Sequence, residues 1–311
     1  MILISFVVPA YNASSYLLAC IDSIYRLPMQ DWGREVIVVN DGSTDRTNEV
    51  LQSCLLKYPD LVVLQQDNRG QSSARNRGMK LARGKYLCFV DADDELDVEG
   101  ASALDWQWLE SREHDLIGVN LQEVTSSGMK PYRRYVPLYN QVFSPACEFL
   151  KGRNLLPCPV AYLYRREFIE REQLHFHEGI VHEDEEWSVL VMLKACSFIA
   201  LDVNFYHRYI RQESTTTTTN RVRQERKLRD MLVAIQTLHN YLSEHPEMKE
   251  FAAYKMDYLA VDLIRLLFRQ RHSWTFCREM LAELKRMGYF PLRKHKEWKY
   301  RLFSFVTRCI F

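Results

Sequence analysis

Short apolar runs alternate with amphipathic stretches through the first ninety residues. Residues 2–8, 35–39, 61–65 and 85–90 are rich in β-branched and aromatic side chains and have strand length. Between them, residues 14–26 carry Leu17, Leu18, Ile21, Ile24 and Tyr25 at helical spacing. A second helix, capped at Ser43 or Thr44, runs to about residue 56, and a third spans 72–82. Strands alternating with helices predict right-handed βαβ units, a mainly parallel sheet covered on both faces and an α/β fold class. From 100 to about 212 the pattern is interrupted by Pro131, Pro137, Pro145, Pro157 and Pro159, with a helix resuming near 184–195 and a strand at 198–203. The threonine run at 215–219 has poor helix propensity and predicts a hinge, so the chain divides into an α/β domain over 1–216 and a helical region over 217–311. In the latter, Leu228, Met231, Leu232, Ile235, Leu238 and Leu242 keep a helical period, and Cys277, Met280, Leu281, Leu284 and Met287 repeat it before Gly288.

Open parallel sheets bind ligands in the crevice beyond the carboxyl ends of their strands. Polar side chains collect at those ends here: Tyr11-Asn12, Asn40-Asp41, Asp67-Asn68 and Asp91-Ala92-Asp93. The fourth strand ends abruptly in three carboxylates, Asp91, Asp93 and Asp94. If extended geometry continues past it, Asp91 and Asp93 project to one side. A pair of that kind suits a hard divalent cation such as Mn²⁺ or Mg²⁺, which takes oxygen ligands and shares them with phosphates. The competing reading is an acidic turn that caps the next helix.

The net charge of +1 over 311 residues gives no nucleic-acid signature. Eight cysteines occur without a C-x-x-C pair, which fits neither a zinc site nor a disulfide framework. They predict reduced thiols and a cytoplasmic protein. The apolar start, residues 1–9, is too short to span a bilayer and lacks a basic leader.

Pro9-Ala10-Tyr11-Asn12, Asn40-Asp41-Gly42-Ser43-Thr44-Asp45, Asn68-Arg69-Gly70-Gln71-Ser72-Ser73-Ala74-Arg75-Asn76 and Asp91-Ala92-Asp93-Asp94 occur in series. This series resembles the family-2 glycosyltransferases of GT-A fold, strongly over residues 3–100 and more loosely over 155–216. The resemblance implies an inverting transferase that moves a sugar from a nucleotide sugar, favouring UDP-linked donors, to an acceptor hydroxyl in cell-surface polysaccharide or glycan synthesis. Pro9, Tyr11, Asn12, Asp41, Asn68, Arg75, Asp91 and Ala92 would form the nucleotide-sugar pocket, with Tyr11 against the base and Asp41 accepting from a base N–H. Asp91 and Asp93 would meet Mn²⁺ or Mg²⁺ on the diphosphate. Asp94 would support them or cap a helix. Read without the family, Tyr11 is a turn tyrosine, Asp41 an Asx turn and Arg75 a solvated helix charge.

Two further constellations follow. The family places its catalytic base in a Glu-Asp pair ahead of an aromatic, which Glu183-Asp184 and Trp187 match. Asp184 is the favoured base and Glu183 the alternative, while the plain reading is an acidic first helical turn. In Tyr206-His207-Arg208-Tyr209-Ile210-Arg211, either Arg208 or Arg211 would clamp the diphosphate and His207 would add a metal ligand. Finally, Lys285, Arg286, Arg293, Lys294, Lys296, Lys299, Arg301 and Arg308 interleave with Tyr289, Phe290, Trp298, Tyr300, Phe303, Phe305 and Phe311. This suits either peripheral attachment to the inner face of an anionic membrane, near a lipid-linked or glycan acceptor, or a docked helix with a solvated basic face. Two rival functions share the sheet: a sugar-nucleotide nucleotidyltransferase, whose Gly- and Lys/Arg-rich first loop is missing from residues 9–15, and a nucleotide-sugar-binding protein without catalysis.

Overall fold

The strands β1 (Ile2–Ala10), β2 (Gly33–Asp41), β3 (Val62–Gln66) and β4 (Tyr86–Phe89) are joined by the helices α1 (Leu17–Tyr25), α2 (Thr47–Lys57) and α3 (Gln71–Leu81). The computed structural model describes residues 1–29, 32–132, 135, 137–155, 157–210, 220–270 and 272–290. Arg211, the threonine run at 215–219 and the basic–aromatic stretch beyond Phe290 lie outside these. After β4 come β5 (Glu95–Leu96), α4 (Trp106–Ser111), β6 (Leu116–Thr125), β7 (Gly128–Tyr132), β8 (Val142–Phe143), β9 (Tyr162–Arg165), α5 (Arg166–Arg171), α6 (Glu183–Lys194) and β10 (Phe198–Tyr209). The helices α7 (Arg221–Glu244), α8 (Lys249–Arg269) and α9 (Trp274–Arg286) follow.

Two compact units result. The first comprises residues 1–146, 158–179 and 194–213, and the second residues 147–157, 180–193 and 214–311. A ten-stranded sheet of order β3-β2-β1-β4-β9-β6-β10-β5 forms the first unit, with β7 on β6 and β8 on β10. The strands β1, β2, β3, β4, β6 and β10 run in one direction, and β5, β7, β8 and β9 run against them. Antiparallel β9 lets β6 continue the parallel set beyond β4. The apolar run of β1 is buried from Leu3 to Ala10, as a strand covered on both faces must be. On α1, Leu17, Cys20, Ile21 and Ile24 face inward, whereas Leu18 is exposed because it lies about 100° around the axis from Leu17.

The chain order turns at β1: β2 and β3 lie on one side of it and β4 on the other. Such a reversal opens a crevice between the loops leaving the two neighbouring strands. Pro9 is accommodated in central β1 because the register with β4 ends at Val7–Phe89, two residues earlier. Further along, β10 outruns its predicted end at residue 203. Register shifts around Asn204 carry pairing with β6 past a polar interruption and on to Tyr209.

In the second unit Leu228, Met231, Ile235, Leu238 and Leu242 bury one face of α7, and Cys277, Met280, Leu281 and Leu284 one face of α9. Among the described residues, no helix is long and apolar enough to cross a membrane. Five of the described cysteines (Cys20, Cys54, Cys88, Cys147 and Cys277) are buried, Cys158 is half-buried and Cys196 is exposed, all with free thiols.

Candidate active site

The loops after β1, β2, β3 and β4 meet at one edge of the first unit, and hydrogen bonds between them fix their shapes. Asn12 sits at φ +49°, a conformation that asparagine tolerates. Its Oδ1 accepts from Thr44 N at 2.8 Å and Asp45 N at 3.3 Å, while its own N–H donates to Ser43 Oγ at 3.0 Å. Asn12 therefore ties the first loop to the second. Asp45 in turn starts α2, accepting from Thr47 N at 3.0 Å, so the helix begins at Thr47 rather than at Ser43 or Thr44. Tyr11, beside Asn12, is 51% exposed.

Asp41 is buried, and both its oxygens are engaged. Oδ1 accepts from Gln66 Nε2 at 2.7 Å and Arg69 N at 2.8 Å, and Oδ2 from Gly70 N at 2.8 Å. A carboxylate has about four acceptor positions, so one is left for a ligand N–H. Gly42 is required here: at φ +70° its backbone passes so close that a Cβ would lie 2.6 Å from Asn68 N. Asn68 itself is exposed on the loop that Asp41 holds.

Arg75 is not a solvated helix charge. Its residue is 3% exposed, and its guanidinium lies 5.0 Å from the centre of the Phe176 ring and donates to Asp91 Oδ1 at 2.9 Å. Gln71 Nε2 donates to the same oxygen at 2.9 Å. One turn further along α3, Asn76 clamps the 176–178 segment by accepting from Phe176 N and donating to Phe176 O, each at 2.8 Å. Neither Gln71 nor Phe176 is marked by the sequence as a site residue. Phe176 carried no motif signal, and Gln71 stood inside a motif with no charge to mark it.

The Asp91–Asp94 segment is a turn, not a continued strand. Strand β4 ends at Phe89, and Asp94 N donates to Asp91 O at 3.0 Å. A turn, not the extended geometry expected past the strand, thus sets the directions of Asp91 and Asp93. Ala92 is buried within it, Asp93 is exposed and Asp91 is half-buried. Beneath the turn lies Tyr206 of β10, a fully buried residue whose hydroxyl donates to Asp94 Oδ2 at 2.9 Å and accepts from Asp91 N at 3.1 Å. Asp94 Oδ1 also accepts from Tyr209 N at 2.8 Å. Burial and then the Asp91 charge push the Asp94 carboxyl up to about 7, opposed by the Tyr209 N–H. Asp94 therefore supports the turn and stitches the end of β10 to it; it is not a helix cap.

Replacing Tyr206 with Phe is expected to leave the Asp91 N–H and one Asp94 oxygen short of a partner. At about 1–3 kcal/mol for an unsatisfied buried group, this should appear as a lowered midpoint in thermal unfolding. An unchanged midpoint would mean that Tyr206 does not brace the turn.

Strand alternation places Arg208, which is exposed, on the same face of β10 as Tyr206 and puts His207 on the other. His207 Nε2 lies 3.3 Å from Asp97 Oδ2. The predicted group of Asp91, Asp93 and Arg208 is thus on elements joined by Tyr206 and Asp94, whereas His207 is engaged elsewhere.

Would these residues hold a divalent cation? Among the described residues no cluster of three or more His, Cys, Asp and Glu has metal-holding geometry. Asp91 and Asp93 on one turn fit an ion that takes one or two carboxylates and fills its remaining positions with phosphate oxygens and water. The donor chemistry fits Mn²⁺ or Mg²⁺ in that open mode.

In the second unit, Glu183, Asp184, Glu185 and Glu186 form the first turn of α6, where the helix dipole favours anions. Asp184 Oδ1 accepts from Glu185 N at 2.9 Å.

A parallel-type α/β sheet with acidic and amide groups at its strand ends defines the ligand crevice of an open α/β fold. The sequence model described as glycosyl transferase family 2 matches residues 5–171, and the chain belongs to that family of glycosyltransferases. It is 34% identical over 213 residues to the uncharacterized glycosyltransferase EpsJ of Bacillus subtilis, covering 66% of this chain and 60% of that protein's length. Among solved structures, S. aureus TarS 1–349 in complex with UDP-GlcNAc superposes with a TM-score of 0.72 at 19% identity, covering 92% of this chain and 80% of TarS 1–349. The mannosyltransferase PcManGT from Pyrobaculum calidifontis, in complex with GDP-Man and Mn²⁺, superposes at 0.54 with 16% identity, covering 98% of this chain and 84% of that one. Both likenesses establish the shared fold.

Proposed function

We propose that this glycosyltransferase moves a sugar from a UDP-sugar to an acceptor hydroxyl in one inverting displacement. The observation that carries the reading is the convergence of Tyr11, Asp41, Arg75, Asp91 and Asp93 on one edge of the sheet, with Asp41 and Asp91 fixed by their own hydrogen bonds. Tyr11 stacks on the base, and the remaining acceptor position of Asp41 takes a base N–H. The choice of uridine is supported by TarS, whose structure holds UDP-GlcNAc on the same fold.

Asp91 and Asp93 hold Mn²⁺ or Mg²⁺, a choice supported by the Mn²⁺ of PcManGT. When bound, the cation offsets charge on the departing diphosphate. Arg75 keeps Asp91 aimed, and Arg208 adds positive charge on the face of β10 that carries Tyr206. Asp184 takes the proton of the acceptor hydroxyl as the new C–O bond forms, with Glu183 as the alternative base. A single base and a direct displacement imply inversion at the anomeric carbon.

The test is a panel of nucleotide sugars screened by thermal shift with and without Mn²⁺, paired with a donor-hydrolysis assay. A ligand at a hundred times its Kd adds about 2.7 kcal/mol, so a UDP-sugar with Mn²⁺ should raise the unfolding midpoint clearly. Stabilisation by a nucleoside triphosphate, with pyrophosphate released from a sugar phosphate, would instead identify a nucleotidyltransferase. Binding without any hydrolysis or transfer would leave a nucleotide-sugar-binding protein.

A further inference from the structure

Lys255 lies in the middle of α8 and is 1% exposed. Burying an ammonium is costly unless its donors are met. Here Nζ donates to Leu155 O at 2.7 Å and to Asn154 Oδ1 at 3.4 Å, and forms an ion pair with Glu185 Oε2 at 2.6 Å. The Tyr258 ring centre is 5.4 Å away. One side chain of the C-terminal helices thus joins α8, the 154–155 segment and the first turn of α6 at a single buried node. The Glu185 side chain is 12% exposed; desolvation raises its carboxyl and the Lys255 charge opposes that rise.

The Glu185 end of this node lies in the turn that carries Glu183 and Asp184. Successive helical residues point about 100° apart, so the four acids at 183–186 fan around the axis. Pinning Glu185 to one buried cation fixes the rotation of the helix and with it the directions of Asp184, one step back, and Glu183, two steps back. The entry to α6 is held independently. Val181 N donates to Asp230 Oδ2 at 3.0 Å from α7, and His182 between them adopts φ +82°. A non-glycine residue persists there only where its surroundings over-determine the backbone. A buried ion pair is weak evidence of stabilisation, so its placement beside this turn is better explained by geometry.

We infer that Lys255 is a positioning residue for the transfer reaction, fixing through Glu185 the direction of the carboxylates at the start of α6. The inference rests on the assignment of the base to Asp184 or Glu183. It gives the C-terminal helices a task in catalysis that the family-matched residues 5–171 do not contain.

The experiment compares the full chain with Lys255→Met, the apolar pair Lys255→Met with Glu185→Met, and Glu185→Gln. The read-outs are kcat and KM for transfer, UDP Kd with Mn²⁺, and the unfolding midpoint. A misplacement near 1 Å costs roughly 10²-fold in rate, so Lys255→Met should lose kcat on that scale while UDP Kd and donor KM stay within about twofold. The apolar pair, which leaves no orphaned charge, should regain the unfolding midpoint but not kcat. If Lys255→Met does not fold, Glu185→Gln carries the test, with a fall of roughly tenfold in kcat expected at unchanged UDP Kd, a tenth of the full misplacement loss. Wild-type kcat in the folded variants would overturn the inference, as would kcat and UDP-binding capacity falling together with the folded fraction. Asp184→Asn and Glu183→Gln run in parallel separate the two levels. If both keep full transfer, the base assignment has failed; if either loses it while the Lys255 variants do not, only the positioning role has failed.

Discussion

Asp93→Ala is expected to abolish transfer while leaving the fold intact. Asp93 is the exposed carboxylate of the Asp91–Asp94 turn, whose frame is held by Asp94, Tyr206 and Arg75. A cation offsetting charge at the leaving diphosphate is worth several kcal/mol in the transition state, and each 1.36 kcal/mol is tenfold in rate. Loss of at least roughly 10³-fold should follow on those terms. UDP binding should become weaker and insensitive to Mn²⁺, with the unfolding midpoint of the unliganded protein unchanged. Asp91→Ala should behave differently. It removes one partner of buried Arg75 and should lower the unfolding midpoint of the unliganded protein. Full turnover by Asp93→Ala with wild-type Mn²⁺ dependence would remove the metal assignment.

Asp184→Asn should reduce transfer by about 10²–10⁴-fold, the range supplied by a general base. The substitution keeps the side chain's size and leaves an oxygen to accept from Glu185 N, so α6 should begin where it does now. Nucleotide binding should be retained, because Asp184 has no part in holding the donor. The discriminating comparison is with Glu183→Gln. Should that variant be the more damaged of the two, the base would be reassigned to Glu183. If UDP binding and turnover fell together in Asp184→Asn, the residue would be acting on donor binding instead.

Much of the fold could be read from the chain because its early elements follow local rules. Period-two and continuous apolar runs gave β1 to β4, and 3.6-period faces gave α1 and α3, since both signals depend only on neighbours in sequence. The strand-end clusters were equally legible, as polar residues at the carboxyl ends of buried strands have few structural reasons to be there. The length of β10 was not, because Asp202 and Asn204 interrupt its apolar pattern and only pairing with β6 carries it through. For the same reason Tyr206 stayed hidden as a bracing residue.

What the sequence determined by itself was the α/β class, the order of the early elements and the identity of the acidic and amide groups at the strand ends. The tertiary structure decided what those groups do to one another. Asn12 and Asp41 became loop ties, Arg75 a buried partner of Asp91, Asp94 a brace on Tyr206, and Lys255 an anchor for α6. Each of these pairings spans between 16 and 112 positions in the chain, the 70 from Glu185 to Lys255 included. No local pattern encodes such a partner: a buried charge or hydroxyl must be satisfied, but the packing of distant elements chooses by whom.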